Sequence, residues 1–480
     1  MAAAPSAEET LNSLQRLLRR AHVVVEELQE RIVTNRMMLR QLNRLQKEMY
    51  RGYHTLDTLR CRRALEDDHR QAASPSFTAS RFNPAKRPHL WRGGSSSKLE
   101  RATEVLGGLE IAIRDVSELA VFLSGCPRRC RQPYSMYLLL DKCMFSRQME
   151  TEQVMEFLFQ AEDSGAGTPA VLPIIGRGRI GKTTIIEHAC NDGRVRAHFS
   201  QILRFSQDSI RDVKTIASLS DCGVIKHHHH DRAVVVGGGR TLVIIELTGD
   251  IDDDVWAKLY SDCRHQVASG SKIIVASRSD KIARLGTAES LRVQPFTEEA
   301  YWYFFKVRTF GSSADIEDHP KVASIAMDLA REMNGCFFGA SVFSRLLKGS
   351  FDVHLWSMAL ASVREFKRMN LLLFGADFVD LWQVVDPVFV RRANNTYSSE
   401  YLVILDDYQT GLSVHQDSAQ SEGPQMSTRD LFFGTDARPR GRFRVLAWRS
   451  HIPPHYSYMM NCEVRRLQRR RKKRAQHAAS

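Results

Sequence analysis

The chain has 480 residues, 43% hydrophobic and 26% charged, a balance that supports folded cores and excludes wholesale disorder. Its formal charge of +13 is uneven, because RRLQRRRKKR at 465–474 carries eight cationic side chains and no acid, which leaves +5 on the rest. A remainder of that size is ordinary for a soluble protein, so any nucleic-acid contact is confined to the basic tail.

The opening MAAAPSAEET has no basic stretch followed by an apolar one, and no run approaches the roughly 18 apolar residues that cross a bilayer. The nine cysteines are odd in number and scattered among apolar positions such as Cys190, Cys222, Cys263 and Cys336. That usage reads as reduced thiols of a cytoplasmic protein, or one also found in the nucleus. Cys126 and Cys130, in CPRRC, have no second Cys/His pair at zinc spacing and read as a turn between helices.

In chain order, Leu11, Leu14, Leu18, Ala21, Val25, Leu28 and Ile32, then Leu39, Leu42 and Met49, recur in steps of three and four. This heptad stripe predicts one or two long helices in a small bundle, in preference to a long two-chain coiled coil, with Asn35 as the polar residue of the seam. Residues 71–98 are rich in Ser, Pro, Gly and Arg and read as a flexible insertion. The amphipathic stretch Leu99–Leu123 completes the bundle. A helix is expected at 147–160, then a linker at SGAGTPA (164–170). Short β-branched runs follow at Val171–Ile175, Ile202–Phe205, Leu242–Ile245 and Lys272–Ala276, separated by helical stretches. That alternation predicts a parallel sheet covered by helices on both faces. Residues 297–370 return to helical periodicity, and 371–464 form an irregular mixed region before the basic tail at 465–480. No leucine-rich repeat recurs at a fixed period of about 20–29 residues.

The segment VLPIIGRGRIGKTTIIEHAC, 171–190, carries the chemistry. Gly176, Gly181, Lys182 and Thr183 satisfy G-x-x-x-x-G-K-[ST], with an apolar strand before and a helix after. Glycines, Gly178 among them, let the loop curl so that successive backbone N–H groups face phosphate oxygens, and the helix adds its positive end. Lys182 supplies a compact charge to the terminal phosphates, and the Thr183 hydroxyl is a ligand for Mg²⁺. Thr184 follows in the same motif.

GRGRIGKTT resembles the GMGGIGKTT loop of plant NB-ARC disease-resistance proteins, and later segments resemble that family in the same order. TLVIIELTGDIDDDVW (241–256) lies where the family has its acidic strand. GSKIIVASRSDKIARLGT (270–287) resembles GSRIIVTTR, with Arg278 on the sensor arginine. LRVQPFTEEAYWYFFKVRTFG (291–311) and MNGCFFGASVFSRLLKG (333–349) resemble the first ARC segments. The N-terminal stripe with MYRGYHTLDTLR (49–60) resembles the Rx-type coiled-coil domain.

The resemblance implies an α/β P-loop NTPase domain at 145–296, a helical N-terminal domain at 8–125 and an ARC-like helical subdomain at 297–370. It further implies a defence-response switch that binds ADP or ATP with Mg²⁺ and meets protein partners through the N-terminal helices. Glu246 and Leu247 stand where the family usually has two aspartates. Glutamate can serve the metal, but leucine can neither accept a proton nor orient water, so ATP hydrolysis is expected to be weak or absent. Arg179 replaces a loop glycine, and Cys336-Phe337-Phe338 replaces the L-P-L of the adenine pocket. A degenerate scaffold or decoy, acting through protein contacts without turnover, is the alternative.

Three features compete for attention. YLVILDDY (401–408) offers the adjacent acids Asp406 and Asp407, but Glu246 and then Arg278 follow Lys182 in the family's order, which leaves the pair as strand-end or turn acids. His227–His230 read as a solvated loop ahead of a weak metal site, and Gly237–Gly239 as a flexible turn.

Overall fold

The computed structural model describes residues 7–72 (except 30 and 32), 95–127, 147–161, 168–206, 239–311, 318–374, 388–390, 400–411, 425–429, 441–449 and 456–466. The chain divides into two compact units: residues 1–304 with 335–337, and residues 305–334 with 338–480.

The first unit begins with helices α1 (Ala7–Gln29), α2 (Arg36–Ala72) and α3 (Ser95–Ser124), each packed on the other two. Leu14, Leu18, Ala21, Val25, Leu28, Leu39, Leu42 and Met49 are all buried, so the heptad stripe is the inner face of a three-helix bundle. Asn35 is not in the seam. It sits exposed in the turn before α2, where its Oδ1 accepts from the N–H groups of Met37 (2.9 Å) and Met38 (3.2 Å). The heptad spacing carries across a turn, and the asparagine does there what short polar side chains do best, capping free helix donors. Most of the 71–98 insertion lies outside the described residues.

Beyond α4 (Gln148–Phe159) come β1 (Ala170–Ile175), α5 (Lys182–Asn191), the short α6 (Gly193–His198), β2 (Gln201–Ser206), β3 (Thr241–Glu246), α7 (Asp253–Gln266), β4 (Lys272–Ser277) and β5 (Leu291–Arg292). These strands form one parallel sheet in the order β2-β3-β4-β1-β5. One face buries Leu172, Ile174, Leu242, Ile244 and Ile274 with residues of α4 and α5, and the other buries Val171, Val243, Ile245, Ile273 and Val275 with α7. Strands apolar on both faces follow from this double cover. The two-residue β5, in register with Ile174 and Ile175, is too short to show any periodicity in sequence.

Helix α8 (Glu298–Phe310) starts against the bundle. Trp302, 1% exposed, donates from Nε1 to Asp57 Oδ2 of α2 at 2.9 Å. The Tyr303 ring lies 5.0 Å from both Tyr50 and Tyr53, centroid to centroid.

In the second unit, α9 (Pro320–Met333) packs on α11 (Val353–Phe374), with α10 (Phe337–Leu347) between them in sequence. The mixed C-terminal region contains a five-stranded sheet of β6 (Val388–Val390), β7 (Glu400–Gly411), β8 (Gln425–Ser427), β9 (Arg442–Arg449) and β10 (Tyr456–Arg466), ordered β6-β7-β10-β9-β8. All its pairings are antiparallel except β8 with β9. Val390, Leu402, Phe443, Val445, Met460 and Cys462 form its core with Phe366 of α11. Asp406 and Asp407 fall in mid-strand of β7, opposite Asn461 and Met460, and not at a strand end or turn. Their backbone pairing places YLVILDDY wholly in this antiparallel sheet, apart from the parallel one. No described helix is long and apolar enough to cross a membrane.

Candidate functional site

The loop from Gly176 to Gly181 joins β1 to α5 at the C-terminal edge of the parallel sheet, where ligands of open α/β sheets bind. Its local shape is imposed by contact. A Cβ on Gly176 would lie 2.7 Å from the Val293 carbonyl oxygen, and Gly181 adopts φ 96 at the cap of α5. Gly178 and Thr184 are half-buried, in the loop and in the first turn of α5. Arg179 adopts φ 60, the left-handed conformation that the family's glycine takes without strain. Arg179→Gly is therefore expected to raise stability by about 0.5–1 kcal/mol in urea unfolding. No gain would show that contacts of the Arg179 side chain offset the strain.

Lys182 folds back onto the loop, its ammonium donating to the carbonyls of Gly176 and Arg177 at 2.7 Å each. Burial pushes this ammonium down to about 8, Glu246 opposes the shift, and Arg278 adds to it. Glu246, at the end of β3, has its carboxyl raised above the usual range by burial, against a hydrogen bond from the Thr183 hydroxyl and the charges of Arg204 and Lys182. Its Oε1 is buried without a hydrogen-bond partner. An orphaned carboxylate oxygen beside a P-loop threonine fits a hydrated divalent cation, whose hard oxygen ligands these two residues would supply. Arg278 lies exposed just beyond β4, close enough to Lys182 to depress its ammonium. The fold thus gathers the predicted loop residues with Thr183, Glu246 and Arg278 along one edge.

Leu247 points away from that chemistry. It is 8% exposed, packs in the apolar cluster with Val243, Ile245 and Val275, and donates its N–H to Ala276 O at 2.8 Å. The position after Glu246 is a core position in this chain.

Three functional side chains escaped the sequence reading. Arg147, just before α4, is 3% exposed, and its guanidinium donates to the carbonyls of Ile180 (3.4 Å) and Gln294 (2.8 Å) while lying 4.4 Å over the Phe296 ring. It braces the phosphate loop from behind. Arg204 of β2 pairs with Glu187 of α5, both well buried. An arginine within an apolar strand, ILRFS, and an acid within an apolar helix turn, IIEHAC, were the available signals. Phe337 donates its N–H to Arg179 O at 3.2 Å, and its ring meets those of Phe296 and Phe304 edge to face at 5.1 and 5.2 Å. An aromatic wall therefore stands beside Gly181 where the family has Pro and Leu.

The cysteines Cys61, Cys126, Cys190, Cys263, Cys336 and Cys462 are free thiols, and burial pushes Cys190 and Cys263 up to about 11. Cys130, Cys222 and His227–His230 lie outside the described residues. Among those described, no group of three His, Cys, Asp or Glu side chains could hold a metal.

Residues 147–315 match the NB-ARC domain profile. The chain is 20% identical over 367 residues to disease resistance protein RGA2 of Solanum bulbocastanum, an alignment covering 73% of this chain and 35% of that one. It is 24% identical over 374 residues to the putative disease resistance RPP13-like protein 1 of Arabidopsis thaliana, covering 74% and 34%. The chain therefore spans about a third of the length of these relatives. Among solved structures, Drosophila ORC bound to DNA overlaps 48% of this chain and 64% of its own, at 12% identity and a TM-score of 0.31. Nothing below rests on that overlap.

Proposed function

With residues 147–315 forming an NB-ARC domain of the kind found in plant disease resistance proteins, we propose that this chain is an ADP/ATP-binding switch of the defence response, with little or no ATP hydrolysis. The observation that carries the reading is the Lys182 loop with Thr183, Glu246 and Arg278 gathered beside it at the edge of the parallel sheet. The loop N–H groups and the start of α5 hold the phosphates of the bound nucleotide. Lys182 exchanges its two carbonyl partners for phosphate oxygens. Thr183 and Glu246 hold Mg²⁺, which offsets phosphate charge when bound.

The switch needs an arrangement that differs between ADP and ATP, since a ligand with equal affinity for two states shifts neither. Arg278, at the open edge, is positioned to meet a third phosphate. The bundle, seated on α8 through Trp302 and Tyr303, is the element whose release makes a surface for protein partners. These steps belong to the proposal.

Leu247 supports slow turnover. Water has to be oriented for attack, and an alkyl group packed into the core orients nothing. ATP turnover by the purified chain is expected on the order of 10⁻³ per second or slower, the range of P-loop proteins without a completed catalytic set. Phosphate release at about 1 per second or faster would contradict this. The same residue and the Phe337 wall favour the second reading, a scaffold with an empty phosphate loop. Equilibrium binding of ADP to the full chain separates the two: affinity supports the switch, and its absence in a folded sample supports the scaffold.

A further inference from the structure

Beneath the phosphate loop, the interface between α5 and the sheet contains charges that an apolar core has no need for. Thr183 and Glu187 are four residues apart on α5 and so occupy one face of that helix, a turn apart. Arg204 pairs with Ile244 in the parallel register of β2 and β3, which sets it two residues below Glu246 on the same face of the sheet. Two tiers result. In the upper one the Thr183 hydroxyl donates to Glu246, and in the lower one Arg204 donates to Glu187. The lower pair is enclosed, with side-chain exposures of 21% for Arg204 and 9% for Glu187. One polar atom in each tier is buried without a partner: Glu246 Oε1 above and Arg204 Nε below.

A guanidinium cannot lose its charge at any physiological pH, so this positive group is permanent. It lies near enough to stabilise the Glu246 carboxylate by direct attraction. In this low-dielectric setting it also adds attraction for phosphate oxygens above it and repels a divalent cation placed among them. A phosphate site without such a residue depends on the divalent cation for that positive charge.

We infer that Arg204 is a built-in cation of the phosphate site, positioned by Glu187, so that Mg²⁺ adds little to the affinity for ADP. The inference rests on the reading that ADP occupies the Lys182 loop. Its test is calorimetric titration of the full chain with ADP, in Mg²⁺ and in EDTA, for wild type, Arg204→Lys and the double variant Glu187→Leu/Arg204→Leu. Removing both partners leaves no buried charge unpaired. Should the leucine pair not fold, Glu187→Gln/Arg204→Gln makes the same comparison.

Wild type and Arg204→Lys are expected to bind ADP within about threefold in the two buffers, whereas the double variant loses about tenfold or more in EDTA. A wild-type chain that itself loses about tenfold in EDTA overturns the inference, as does a double variant no more Mg²⁺-dependent than wild type. In both of those outcomes ADP still binds, so the phosphate site stands. A folded wild-type chain with no ADP affinity in either buffer overturns that site and the inference together.

Discussion

Lys182→Ala is expected to weaken ADP binding at least about 100-fold while leaving the fold intact. The ammonium is the one compact cation of the loop, and the hydrogen bonds it would make to phosphate are charge-assisted, each contributing about 1.5–3 kcal/mol. Losing two such contacts in a partly desolvated site corresponds to a factor of 100 or more, since about 1.4 kcal/mol is tenfold. The fold survives because the ammonium touches only two loop carbonyls, Gly176 and Arg177, which water can satisfy once the side chain is gone. Isothermal titration with ADP, alongside circular dichroism, measures both halves of this expectation. Equal affinity in the folded variant and in wild type would remove Lys182 from the site.

Trp302→Ala is expected to cost about 3–5 kcal/mol in the unit that holds the bundle and the parallel sheet. Two losses combine. The indole is among the largest fully buried side chains, so alanine leaves a cavity that the surrounding helices fill only in part. It also deprives Asp57, 5% exposed, of the donor at 2.9 Å and leaves a buried carboxylate with less support. Trp302→Phe separates the terms, because it keeps most of the packing and removes only the N–H, with an expected loss of about 1–3 kcal/mol. Urea unfolding followed by tyrosine and tryptophan fluorescence reads both variants. A loss under about 1 kcal/mol for Trp302→Ala would mean that the α2–α8 seat contributes little.

Much of the parallel sheet and its loop was legible in the sequence because their signals are local. A run such as TLVIIE is apolar on both faces, and G-x-x-x-x-G-K-[ST] after a strand leaves few alternatives to a phosphate loop. The bundle helices were legible through their heptad stripe, yet the same stripe hid the turn at Asn35, since spacing alone does not register a chain reversal. What depended on distant partners could not be read. Arg204 and Glu187 are 17 residues apart, and only the pairing of β2 with β3 beneath α5 turns an arginine in an apolar run into half of a buried ion pair. Arg147 meets Gln294 across 147 residues. The C-terminal sheet was equally hard to anticipate, because its strands join residues far apart in sequence, β7 to β10 and β6 to β7, without the alternation that marks βαβ units. Leu247 is the instructive middle case. Sequence showed which residue stood there, but its place in the core, not merely its chemistry, decides that nothing polar can act from that position.

The central claim is that the loop around Lys182 holds an adenine nucleotide. Mass spectrometry of the small molecules released when the purified full chain is denatured tests it most directly. The account predicts ADP or ATP close to one per folded chain, and none from Lys182→Ala prepared the same way. A folded wild-type chain that releases no nucleotide, and takes up none when ADP is supplied in large excess, would contradict it.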